Sequence, residues 1–248
     1  MRLLVSVRSV AEAQTAARGG VDFIDLKEPR DGALGGLPIA TIADIVATLR
    51  GQGVDVPLSA TIGDLDESAV ARDVEDVLGR VHAVARCGVD YVKVGILPGA
   101  GALLGALAAC GAPVVPVFIA DRGLDEALIE QAAALRFPAL MVDTADKGAG
   151  SLFDCLGPSR LQRFIAQARG GGALAGLAGA LRLTQLPALA ALAPDFAGFR
   201  SAVCAGDRGG ALDAARLHEL RRRVDEIQGP QRRSSPSSSE RMRDSSAR

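Results

Sequence analysis

Lysine is scarce in this sequence. Of its 28 lysines and arginines, 25 are arginine, which leaves Lys27, Lys93 and Lys147. Where a positive charge only has to solubilise a surface or pair with a carboxylate, the chain uses arginine, whose guanidinium keeps its proton. A lysine amine can be tuned from its ordinary pKa of about 10.4 down to roughly 7–8 by burial or a neighbouring cation, and the neutral amine attacks carbonyls or carries protons. Chance pairing of lysines with acids at strand ends is the alternative, and it accounts for one lysine more easily than for three. Acids accompany them. Asp25 lies two residues before Lys27, on the same face of an extended segment, and Asp143 lies four before Lys147. A carboxylate raises the pKa of an adjacent ammonium and a second ammonium lowers it, so such a cluster can hold one amine neutral and another charged. Glu28 and Asp146 are near in sequence but are expected to point away, into solvated ion pairs.

These residues need elements to position them. Short apolar runs at 3–7, 23–27, 57–61, 91–94, 114–119, 140–143, 173–177 and 196–200 read as strands. Between them, helical periodicity covers 10–18, 37–50, 68–87, 123–134, 159–168 and 184–192, the stretch 99–117 reads as a helix running into a strand, and 212–227 forms the last helix. Eight strand–helix units within 248 residues predict an α/β chain folded as a single (β/α)8 TIM barrel over residues 1–228, with an open doubly wound sheet as the alternative. Lys27 and Lys93 then fall at the carboxyl ends of the second and fourth strands, and Lys147 just beyond the sixth. Those ends share the face where barrel active sites lie, and alternate strands feed a common layer, so the three amines are expected to converge.

The seventh and eighth strands run into glycine-rich segments, GGGALAGLAGAL and FRSAVCAGDRGG. Backbone amides at that position commonly hold phosphate, which makes Gly176, Gly179, Ser201 and Gly206 candidates for binding it, although such loops also serve packing alone. Other chemistries find no support. There is no P-loop, the GAGALLG segment misses the dinucleotide spacing, and His82 and His218 fall in predicted outer helices, where packing roles are expected. Cys87, Cys110, Cys155 and Cys204 are widely spaced and form no metal or disulfide framework. No cofactor or metal is expected. With a net charge of -1 there is no field to recruit nucleic acid, and no segment suits a membrane, so a small-molecule partner and a cytoplasmic location are expected. Residues 229–248, rich in Ser and Arg, read as a disordered tail.

At DLKEPRDGALG (25–35), YVKVG (91–95) and MVDTADKGAG (141–150) the chain resembles the (5-formylfuran-3-yl)methyl phosphate synthases of methanofuran biosynthesis, and the likeness runs from residue 1 to about 225. The resemblance implies condensation of two glyceraldehyde 3-phosphate molecules with release of phosphate and water, Lys27 forming the Schiff base and Lys93 transferring protons. Asp25, Asp143 and Lys147 match the family's other site positions. A class I aldolase acting on another sugar phosphate, or a barrel that binds a phosphorylated metabolite without turning it over, are the rival readings. A homo-oligomer is expected.

Overall fold

In the computed structural model, residues 1–32, 34–65, 73–146 and 150–229 are described. Lys147 and residues 230–248 lie outside them, and with them the expectations for the third lysine and for nearly all of the tail. Eight parallel strands close on themselves in sequence order, with β1 (Arg2–Val7) pairing both β2 (Phe23–Leu26) and β8 (Phe196–Phe199). The strands between are β3 (Leu58–Thr61), β4 (Tyr91–Ile96), β5 (Val114–Ile119), β6 (Ala139–Asp143) and β7 (Leu174–Leu177). The closed barrel expected from the alternation is the one observed. No helix among the described residues is long and apolar enough to cross a membrane.

Side chains alternate along each strand and so build two cores. Leu3, Val5 and Val7 point outward with Ile24 and Leu26 into the layer shared with the helices, whereas Leu4, Phe23, Val115, Met141 and Phe196 point into the barrel. Some of the helices begin where short polar side chains accept from their free amides. Ser9 caps α1 (Val10–Arg18), and Asp213 caps the last helix (Ala214–Gln228) by accepting from the amides of Ala215 and Arg216. His82 lies in the helix Val74–Ala85, its Nε2 3.0 Å from the carbonyl of Cys110, and His218 lies in the last helix.

The two ends of the barrel interior differ. At the amino-terminal end Phe23 and Phe196 pack with ring centroids 5.5 Å apart, and the Arg2 guanidinium lies 4.8 Å from the centre of the Phe23 ring. Gly176 belongs to this end: a Cβ there would stand 2.2 Å from Phe196 Cζ. Its missing side chain is room for a ring, which corrects the expectation that Gly176 approaches a phosphate. The carboxyl-terminal end is polar, with Ser6, Asp25, Lys27, Thr61, Asp143 and Arg200 all buried. The seam between first and last units is tied at both ends, the Met1 ammonium donating to Gln228 Oε1 at 2.9 Å below and Arg200 donating to Glu12 above.

Candidate active site

A cavity of about 420 Å³, counting the space open to solvent, opens at the carboxyl-terminal face. Lys27, Asp25 and Asp143 line it together with Gly179, Ser201 and Arg208. Lys27 sits one residue beyond β2, its amide donating to the carbonyl of Val7 at 3.0 Å. Asp143 closes β6 and accepts from the amide of Thr144 at 2.8 Å, which fixes one oxygen and leaves Oδ2 3.6 Å from Lys27 Nζ.

Below this level lies Asp25. Its strand register places it between Ser6 and Ser59, and both hydroxyls donate to it, Ser59 Oγ to Oδ1 at 2.7 Å and Ser6 Oγ to Oδ2 at 3.0 Å. Lys93 Nζ completes the set at 2.8 Å from Oδ1. Lys93 was expected at the end of a strand finishing at Val94. Instead β4 continues through Ile96, paired with Val117 and Phe118, and this puts Lys93 in mid-strand, deeper in the barrel. It lines a second, mostly apolar cavity of about 370 Å³ beneath, rather than the mouth. The pairing of Asp25 therefore does not follow the chain: Asp25 holds Lys93, and Lys27 lies against Asp143. Residues two apart on a strand stand roughly 6.6 Å apart, too far for a short carboxylate, whereas a neighbour across the barrel at the same level is within reach.

Burial shapes the ionisation of the deeper pair. It pushes Asp25 up, but the ammoniums of Lys93 and Lys27 and the Ser59 hydroxyl outweigh it, holding the carboxyl below its ordinary value. Burial lowers Lys93, Asp25 pulls it back up, and the ammonium of Lys27 adds to the lowering, so that this amine ends below the usual lysine value. The deeper lysine thus releases its proton more readily than a solvated one.

Gly179 and Ser201 line the mouth, and Gly206 lies outside the lining. Gly179 has φ +118°, and a Cβ there would meet Thr144 Cγ2 at 2.8 Å, so the turn after β7 admits little else. Sequence reasoning missed the serines around Asp25 and two arginines. Arg200, directly after β8, is buried and uses all five N–H groups: Nε to the carbonyl of Arg208, Nη1 to the carbonyl of Ser6 and to Glu12 Oε2, and Nη2 to Glu12 Oε1 and the carbonyl of Gly210. Burial pushes Glu12 up, and Arg200 with the amides of Arg8 and Leu212 more than offsets it, leaving Glu12 below its ordinary value. The period-two row Phe196, Gly198, Arg200 was the available signal, since it points the arginine inward. Glu28 does turn away from the lysines, lying 4.0 Å from Arg8, and the amide of Asp146 donates to Asp121 at 2.7 Å.

The sequence profile of the family described as 4-HFC-P synthase matches residues 3–221, a span that contains every residue of this site. The chain belongs to the 4-HFC-P synthase family. Among its relatives is a putative (5-formylfuran-3-yl)methyl phosphate synthase of Methylorubrum extorquens, 40% identical over 219 residues, 87% of this chain and 88% of that one. The (5-formylfuran-3-yl)methyl phosphate synthase of Archaeoglobus fulgidus is 33% identical over 228 residues, covering 84% of this chain and 92% of its own length. In fold, the chain is similar to 3-hexulose-6-phosphate synthase from Salmonella typhimurium, with a TM-score of 0.58 at 18% identity over 91% of this chain and all of that one. Like the other members of the 4-HFC-P synthase family, this chain is an enzyme of the (5-formylfuran-3-yl)methyl phosphate synthase type.

Proposed function

We propose that this enzyme condenses two molecules of glyceraldehyde 3-phosphate into (5-formylfuran-3-yl)methyl phosphate, releasing phosphate and water, through a Schiff base on Lys27, and that the product feeds methanofuran biosynthesis. The names of the relatives support the product. The single observation that carries the mechanism is the division of the two lysines between levels, Lys27 at the mouth against Asp143 and Lys93 beneath it against Asp25.

An aldehyde entering the mouth meets the amine of Lys27 first, and imine formation there expels water. The iminium acidifies the adjacent carbon; loss of that proton gives an enamine, which attacks the aldehyde of the second triose. Lys93, with its lowered pKa, is suited to accept the proton, and Asp25 links it to the cavity through a 2.8 Å contact. Elimination of phosphate, ring closure and dehydration follow by the same enamine chemistry, with Asp143 orienting Lys27, and Lys147 positioning a phosphate or a developing oxyanion.

The test is reduction with borohydride in the presence of glyceraldehyde 3-phosphate, followed by peptide mapping. A reduced triose adduct on Lys27 is expected. Folded protein with Lys27 unmodified would overturn the imine, and a simple aldol as the only product would reassign the enzyme to aldolase chemistry.

A further inference from the structure

Among the described residues of the mouth, one guanidinium is in no close ion pair, although Asp143, Asp64 and Glu28 attract it from a distance. Among the described residues, Lys93 is paired with Asp25, Lys27 with Asp143, and Arg200 with Glu12. Arg208 lines the same cavity as Lys27, and it forms no ion pair with a described residue. One Nη2–H goes to the carbonyl of Gly32 at 2.9 Å, on the loop that follows Lys27, and the other donors are left for the cavity.

Its backbone is held firmly. The carbonyls of Arg208 and Gly210 both accept from Arg200, whose other donors go to Glu12 and Ser6. The arginine saturated by the fold thereby presents the arginine that is not. Gly179 and Ser201, at the ends of the seventh and eighth strands, line the same cavity. A guanidinium offers paired donors that match the oxygens of a phosphate dianion, a geometry a lysine ammonium does not reproduce.

We propose that Arg208 is the side chain that binds the phosphate of the triose phosphate, and that Arg200 and Glu12 are the strut that positions it. This rests on the reading of the mouth as a phosphorylated-aldehyde site, but it makes a separate demand: the cavity must bind inorganic phosphate through Arg208 whether or not Lys27 forms an imine. Discrimination between phosphorylated and plain aldehydes would then reside in Arg208, and carbonyl capture in Lys27.

Two measurements on the full chain separate these demands. Calorimetric titration with inorganic phosphate is expected to show binding that weakens tenfold or more in Arg208→Gln and is partly restored in Arg208→Lys, with unchanged thermal midpoints reporting an intact fold. Equal binding in wild type and Arg208→Gln, or none in wild type, overturns the role of Arg208. Borohydride trapping on Lys27 with glyceraldehyde 3-phosphate and with unphosphorylated glyceraldehyde gives the second readout. In Arg208→Gln the half-saturating concentration should rise at least tenfold for the phosphorylated aldehyde and stay the same for the plain one. A purely structural role would shift both together and overturn the proposal. Phosphate binding through Arg208 without any adduct in wild type would overturn the imine and leave Arg208 standing.

Discussion

Two buried ionic systems stand a few residues apart at the mouth of this barrel, and they are built on opposite lines. In the lysine system each amine has a carboxylate, yet a proton can still move, because Lys93 is held below its ordinary pKa by burial and by its neighbour Lys27. In the arginine system the charges stay fixed until strong acid protonates Glu12. Every N–H of Arg200 is engaged, and Glu12 is held ionised below the usual carboxylate range. The difference is between an amine whose charge burial loosens and a guanidinium whose geometry every donor fixes.

That comparison breaks most visibly at Lys27. Lys27→Met removes the only lysine amine among the described mouth-lining residues, and turnover is expected to fall by about 10³ or more, a loss of at least ~4 kcal/mol of transition-state stabilisation, with borohydride adducts absent. Initial rates and intact mass check this. A smaller effect, on stability, is expected from Glu12→Gln. It leaves a buried guanidinium without its anion, and breaking such a pair costs about 3–5 kcal/mol, read from the urea midpoint.

The pH dependence sharpens the contrast further. Glu12 and Asp25 both have folded-state pKa values below their ordinary 4.5 and 3.8, so each contributes stability that is complete above the ordinary value and is lost as pH falls through the folded one. Urea midpoints followed into acid should therefore drop steeply in wild type and less steeply in Glu12→Gln. Turnover should report the other system, rising with pH through an inflection below the ordinary lysine value of 10.5 that Lys93→Arg abolishes. The smallest change is Ser59→Ala. It deletes a 2.7 Å hydrogen bond to Asp25, costs about 1 kcal/mol, and shifts the inflection without removing it.

The fold was largely legible because the barrel writes its period plainly. Leu3–Val7 and Phe23–Leu26 alternate inward and outward, and Ser9 and Asp213 mark helix starts. The end of β4 was misjudged because Gly95 reads as a turn residue, whereas in the barrel it faces Leu34, whose Cδ1 would stand 3.0 Å from a Cβ at that position. The short helix Leu152–Cys155 carries too few residues to show a period. In the site, residue types gave Lys27, Lys93, Asp25 and Asp143, but local order gave Asp25 the wrong partner. Asp25 is two residues from Lys27 in the chain and bonded to Lys93 in space, and no spacing rule contains the barrel's curvature. Gly176 misled for a similar reason, because a glycine that admits Phe196 and one that admits an anion look alike until the ring is placed. Arg200 was hidden among 25 arginines.

The seam between β1 and β8 bears on how the chain reaches this state. Its ties are among the longest-range in the molecule, Arg200 to Glu12 across 188 positions and Met1 to Gln228 across 227. Contacts of that separation form late, after the entropy of a nearly full-length loop has been overcome. In order of synthesis Lys27, Lys93 and Asp143 all precede Arg200, so the mouth they line is incomplete until the final strand–helix unit has been made. Closure of the ring and delivery of Arg208 are then one event, and a chain truncated before residue 200 has neither a shut barrel nor the guanidinium at its mouth.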